Sequence, residues 1–247
     1  MKKLLAIGLL VVSGSLVGQE GIPPGTILPV QLTSSIRLDK ARRGEEITAR
    51  VMQDVPLPDG SATHAGAKVI GHIVFAQPND RDGARVILRF DTLVANGRKI
   101  PIVTNVRALA SMTEVEEAQV PATGPDRGTS EFDWNTAQIG GEVNYHGTIV
   151  ANGLTAVGRS VPPQGTLAKV SSSPGCRGSL GGAGQMQALW VFSSTACGIY
   201  GYPNLTLVHA GRSEPIGEIV LVLKTGKMNI RSGSGILLRV NESGPQK

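Results

Sequence analysis

Aromatic residues are scarce in this chain of 247 residues, which holds four Phe, three Tyr and two Trp. A stacking platform for single-stranded nucleic acid has little material to be made from. The four histidines are His64, His72, His146 and His209, and no two stand at i, i+2 or i, i+4, so zinc has no local nucleus. The two cysteines, Cys176 and Cys197, lack both a Cys-x-x-Cys spacing and a nearby His pair. No Gly-x-Ser-x-Gly elbow occurs. The one sustained apolar run, Leu4 to Val12, is shorter than the roughly 20 residues that span a bilayer. Neither a cofactor nor a metal is expected.

Glycine and proline are plentiful instead, at 32 and 15 residues, without a Gly-X-Y period. That excludes collagen, disfavours long helices and predicts short strands joined by tight turns. A hydrophobic content of 40% suffices for a buried core.

Lys2 and Lys3 precede the apolar run, and Ser13, Gly14, Ser15 and Gly18 follow it. This order predicts a secretory signal peptide over residues 1–18, with an uncleaved N-terminal anchor as the competing reading. Removing residues 1–18 takes two of the 24 basic groups and leaves 22 against 19 acidic ones. So small an excess serves solubility and is no nucleic-acid footprint. Lys40, Arg42 and Arg43 are in any case followed by Glu45 and Glu46, which cancel much of their field. The expected location is the periplasm, the outer-membrane surface or the medium, with no integral span after signal removal. Cys176 and Cys197 both sit in turn-like settings, and a bridge between them would close a loop of about 20 residues, contributing on the order of 3 kcal/mol. Two free thiols are the alternative.

Strand signals dominate from Thr26 to Ala108. In Arg85 to Asp91, Val86, Leu88 and Phe90 share one face while Arg85, Arg89 and Asp91 share the other, as in a half-buried antiparallel strand. Ala67 to Ala76 and Lys99 to Val106 read similarly, and Asn96-Gly97 marks a two-residue hairpin. Between Ser111 and Asp133 acidic residues prevail, with a helix-cap signal at Ser111. That stretch lacks the alternating ligands of a calcium loop. Strands resume at Glu142 to Tyr145, Gly165 to Val170, Ala188 to Phe192, Leu205 to His209, Glu218 to Leu223 and Ile236 to Val240. The glycine cluster Gly178 to Gly184 has no Gly-Lys-Ser/Thr sequel and reads as a turn.

An internal echo relates Ile22 to Leu32 and Ile230 to Val240: each has an apolar anchor, a Gly-Ser/Thr turn and a strand. Val161 to Val170 repeats the theme with one extra residue. The echo places the last strand back against the first domain. The expected class is all-β with minimal helix: a small β-barrel over 20–110, completed by 216–241, and an acidic linker or loop over 111–133. A disulfide-clipped second β domain, sandwich or barrel-like, is inserted at 134–215, and a disordered tail follows at 242–247.

Ile22-Pro23-Pro24-Gly25-Thr26, Ile47 to Val51, His64 to Gly71, Val86 to Leu93 and the hairpin Asn96 to Ile102 together resemble the C-terminal barrel of conjugal-transfer TrbI-like proteins. That resemblance covers residues 21–109 and implies a barrel of the kind that lines an outer-membrane secretion channel. That family carries an N-terminal transmembrane anchor, a proline-rich spacer and a helical pair, whereas here only a signal peptide and no helical hairpin are expected. In overall plan, including Gln187 to Ser194, Ala196 to Gly201 and Val208 to Arg212, it is similar to uncharacterised exported β-rich proteins of acidobacteria-like bacteria. This implies a location and a shape, and no activity.

Nucleophilic chemistry would have to draw on Ser193 or Ser194 with His209 and Glu214. The simpler expectation puts Leu205, Leu207 and His209 on one strand face, with His209 half-buried. Trp190, Tyr200 and Tyr202 form the only aromatic concentration, and Trp190 is expected to pack on the bridge. With His209, Arg212 and Glu214 they are the candidate ligand or partner contacts; no catalytic residue is assigned. The leading expectation is an exported envelope protein with a non-catalytic interaction or scaffolding role, its partner an envelope protein or a second copy. The alternative is a periplasmic hydrolase or carbohydrate-binding module built on Trp190, Tyr200, His209 and Glu214.

Overall fold

The structure, a computed structural model, describes residues 21–79, 83–120, 133–146, 148–161, 165–171, 176 and 185–242. The expected signal peptide, most of the acidic segment, the cluster Gly178 to Gly184, part of the third echo and all but the first residue of the expected tail lie outside them.

The described residues are mostly strand, with one short helix among them. A large sheet holds β1 (Ile27–Leu32), β3 (Glu46–Val51), β6 (Lys68–Asn79), β7 (Gly83–Ala95), β8 (Arg98–Pro101) and β9 (Thr104–Ala110). It is completed by β16 (Gly198–Tyr200), β17 (Leu205–Val208), β18 (Ile219–Leu223) and β20 (Gly235–Val240). Its order is β16-β9-β20-β1-β3-β6-β7-β18-β17, with β8 hydrogen-bonded to β7. The two end strands, β16 and β17, are consecutive in the chain, so the sheet curls into a nearly closed barrel whose seam is bridged by residues 201–204. Two small pairs lie beside it: β2 (Ile36–Arg37) with β19 (Asn229–Ile230), and β4 (Val55–Pro56) with β5 (Ala62–Thr63). The second sheet is an antiparallel meander of β10 (Asp133–Gln138), β11 (Gly141–His146), β12 (Ile149–Asn152), β13 (Thr155–Ser160), β14 (Thr166–Lys169) and β15 (Met186–Ala188).

Alternation places the barrel's inner side chains. Val86, Leu88 and Phe90 of β7 point inward while Arg85 and Arg89 face water, and Ile47, Ala49 and Val51 do the same on β3. Asn96 and Gly97 both take positive φ in the β7–β8 hairpin. β1, β9 and β20 differ because both of their faces are covered. Leu28, Val30, Ile236, Leu238 and Val240 fill the barrel, whereas Ile27, Ala108, Ala110 and Leu237 join a second core under the meander. A strand with two covered faces reads as a continuous apolar run, which is why their alternation is faint in sequence.

The echo has a structural counterpart. β1 and β20 pair antiparallel with Pro29 opposite Leu237, its own counterpart in the echo, so the two segments are related by a local two-fold axis through that pair. Gly25 and Gly233 take the same left-handed φ, 89° and 93°. β20 also pairs with β9, and is thus seated between the first strand and β9.

Four features differ from expectation. Residues 198–200 and 205–208, assigned above to the inserted piece, form β16 and β17 of the large sheet. Lys99 to Val106 is two strands, broken at residues 102–103. The run Ala188 to Phe192 is a strand only at its start: Trp190 takes φ 52° and Phe192 N donates to Leu189 O, so the chain turns while burying both faces. β17 ends at Val208, and His209 leaves the strand at φ 65°.

The helix α1 (Met112–Ala118) starts where the cap was expected: Ser111 Oγ accepts from Glu114 N at 3.3 Å, and Val115 and Ala118 face the second core. Ser111→Ala should cost about 1 kcal/mol, read as a lowered midpoint in urea at unchanged m-value.

Candidate functional site

Among the described residues, apolar side chains pack the barrel interior. Leu32, Leu88, Phe90, Val106, Leu207, Leu221 and their neighbours leave a void of about 10 Å³, too small to conduct and barely the room one water needs. What stands out chemically lies outside the barrel wall, where the meander docks.

Buried amides make that joint. Gln53, just beyond β3, sends Nε2 to Thr166 O at 3.1 Å, while its Oε1 accepts from Thr166 N at 3.1 Å and Trp190 N at 2.8 Å. Gly165 is what lets the amide lie there, because a Cβ at that position would collide with the Gln53 side chain. Gln187 Oε1 accepts from Ile27 N at 3.0 Å, and Gln138 Nε2 donates to Thr166 Oγ1 at 3.0 Å. Each bond satisfies a backbone or hydroxyl group that the apolar second core would otherwise strand.

Beside this joint sits Arg107. The pairing of β9 with β20 shifts register between Leu237 and Leu238, whose partners are Ala108 and Val106, so Arg107 is the extra residue of a β-bulge. The bulge lets Val106 and Leu109 both enter the barrel core while Ala108 joins the second. Arg107 is 1% exposed; its Nη2 donates to Ser171 O at 2.8 Å and Ser194 O at 3.3 Å. Burial pulls its pKa down to about 10, with Tyr200 acting to raise it and the charge of Arg239 acting more weakly to lower it.

A third cluster closes the seam. Cys176 and Cys197 are disulfide-bonded. The bridge presses on Gly211, where φ is 69° and a Cβ would run into Cys176 Sγ, and Gly211 N donates to Val106 O of β9 at 2.9 Å. The chain beyond β17 is thereby tied to β9 under the bridge. Tyr200 Oη accepts from Cys197 N and donates to Cys197 O, at 2.9 and 3.0 Å.

The aromatic candidate contacts divide between the two cores. Trp190 is 2% exposed in the second core, while the bridge packs with the barrel core, so Trp190 does not pack on the bridge as expected. Tyr200 lies against the second core. Tyr202 packs on the barrel core, its Oη 2.8 Å from Ser234 Oγ. The His209 ring makes no hydrogen bond to an acid or a serine among the described residues, and Ser193 Oγ pairs with Thr195 Oγ1 instead. Arg212 is half-buried and Glu214 exposed. Glu214 lines a groove of about 410 Å³ with Pro24, Ile216, Arg239 and Glu242, and a neighbouring groove of about 480 Å³ runs along Ile22, Pro23, Ile102 and Val240. Asn105 holds this end, its Nδ2 donating to Pro215 O and its Oδ1 accepting from Gly217 N and Asn241 Nδ2.

Sequence reasoning passed over Gln53, Arg107 and the surface pair His72–Asp91, whose Nδ1 and Oδ2 are 3.0 Å apart across β6 and β7. Only the last had a signal: His72 and Asp91 are both outward residues of strands that a hairpin would pair.

Burial raises the Tyr202 pKa above the usual 10. Just above pH 10 the unfolded chain has lost this proton while the folded chain keeps it, so stability should fall as pH rises through that window. Ultraviolet titration should show one tyrosine ionising later than in the denatured chain, and Tyr202→Phe should remove that late step.

No protein-family model, curated protein or solved structure matches the chain.

Proposed function

We propose that the chain is an exported cell-envelope protein whose role is interaction or scaffolding, exercised through its outer surface, with an envelope protein or a second copy as partner. The observation that carries this reading is where the side chains with chemical potential are used. Trp190, Gln53 and Arg107 are buried in the joint between barrel and meander, and the barrel interior is filled. The disulfide fits an oxidising compartment. The surface left for a partner includes the two grooves at the Pro24–Glu242 end. Among the described residues no helix is long and apolar enough to cross a membrane. The resemblance in sequence that we read between residues 21–109 and the barrels of conjugal-transfer TrbI-like proteins is in keeping with an assembly role.

The test is fractionation and chemical cross-linking of the tagged full-length chain in the cells that make it. A bridged protein in the envelope fraction, cross-linked at fixed stoichiometry to a partner or to itself, is expected. Recovery as a reduced, cytoplasmic monomer without cross-links would overturn the proposal.

A further inference from the structure

Arg107 is the most deeply buried charge among the described residues, and its hydrogen bonding is half complete. Two backbone carbonyls, of Ser171 and Ser194, accept from Nη2. Nε and Nη1 have no partner, and neither does the buried hydroxyl of Ser194, the residue whose carbonyl Arg107 already holds. The ion pairs Arg37–Asp39, His64–Asp54, Lys68–Glu46, His72–Asp91 and Arg89–Glu218 all lie elsewhere. Two side chains act on Arg107: Tyr200, which favours its charged form, and more weakly a second cation, Arg239, which stands on β20 opposite Asn105, two residues along β9 from Arg107. A guanidinium stays protonated at any physiological pH, and a buried charge is ordinarily paired. Here carbonyl dipoles offset only part of the charge, and Arg239 adds to it.

We propose that Arg107 and Ser194 hold a small monatomic anion of the chloride class between the barrel wall and the meander. The unused N–H groups of Arg107 and the Ser194 hydroxyl are its donors. The size follows from closure: Arg107 and Ser194 are 1% and 2% exposed, and Ala108 and Ala110 beside them are fully buried. An oxyanion such as phosphate needs more room and more donors than three N–H groups and one hydroxyl. The anion would be a structural ligand, neutralising the joint and tying β9 to the segment around Ser194.

The test is thermal unfolding of the bridged full-length chain at constant ionic strength, with sodium chloride, sodium bromide or sodium phosphate replacing sodium gluconate. Chloride and bromide should raise Tm by about 5–10 °C at a hundredfold excess over Kd. Arg107→Lys and Ser194→Ala should each weaken that dependence. Crystals grown in bromide should show anomalous scattering beside the Arg107 guanidinium, a readout that needs no variant. Equal Tm in chloride and gluconate with no anomalous peak would overturn the proposal, as would stabilisation by phosphate alone.

Discussion

Reducing the Cys176–Cys197 bridge should lower Tm by about 6–12 °C. The bridge spans 21 residues of sequence, which in the chain-entropy account restricts the unfolded ensemble by about 3 kcal/mol. Its position should concentrate the damage. It lies on Gly211, whose amide ties the chain beyond β17 to Val106, and Tyr200 Oη is anchored on the Cys197 backbone. Loss of the bridge should therefore release β16 and the Gly211 amide before the rest of the barrel. Calorimetry of the Cys176→Ser/Cys197→Ser variant, with hydrogen exchange at residues 198–211, checks both parts. An unchanged Tm, or exchange accelerated uniformly over the large sheet, would contradict the assignment of the bridge to the seam.

Gln53→Met, which keeps the side-chain volume and removes the amide, should cost about 3–5 kcal/mol. The loss strands Thr166 N, Trp190 N and Thr166 O in an apolar setting, and each orphaned buried group costs roughly 1–3 kcal/mol, not fully additively. The penalty falls on the attachment of the meander, because β14 and the Trp190 turn lose their common anchor while the barrel core keeps all its apolar contacts. Urea unfolding followed by Trp fluorescence, against far-ultraviolet circular dichroism for the barrel, should show the fluorescence transition moving first. A midpoint within experimental error of the parent would show that Gln53 is not the anchor.

Much of the barrel was legible because its outer strands have one wet face. Val86, Leu88 and Phe90 against Arg85 and Arg89 declare a period of two, and Asn96-Gly97 declares the hairpin that follows. The echo between Ile22–Leu32 and Ile230–Val240 correctly brought the last strand to the first, because both carry the same glycine turn into the same inward pattern. Legibility failed where both faces are covered. Ala188 to Phe192 reads as a strand since every residue is apolar, but it is a turn that buries side chains in the second core. His209 continues the Leu205, Leu207 alternation in sequence, but its left-handed backbone ends the strand before it. A related reason hid the joint: Trp190 and Tyr200 draw attention as aromatics and pack in or against the second core, whereas Gln53 and Arg107 carry no local motif. A buried glutamine is recognisable only through partners more than a hundred positions away, and Arg107 only through the bulge that turns it outward from the barrel.

The seat of β20 has a further meaning for how the protein is made. Until Gly235–Val240 have been synthesised, β1 and β9 each present an open edge, and the strand that joins them does not exist. Pairing across so long a separation is slow and must await the whole intervening chain. The wall between β1 and β9 therefore closes only once β20 exists, so the first strand of the barrel waits on a partner some two hundred positions downstream.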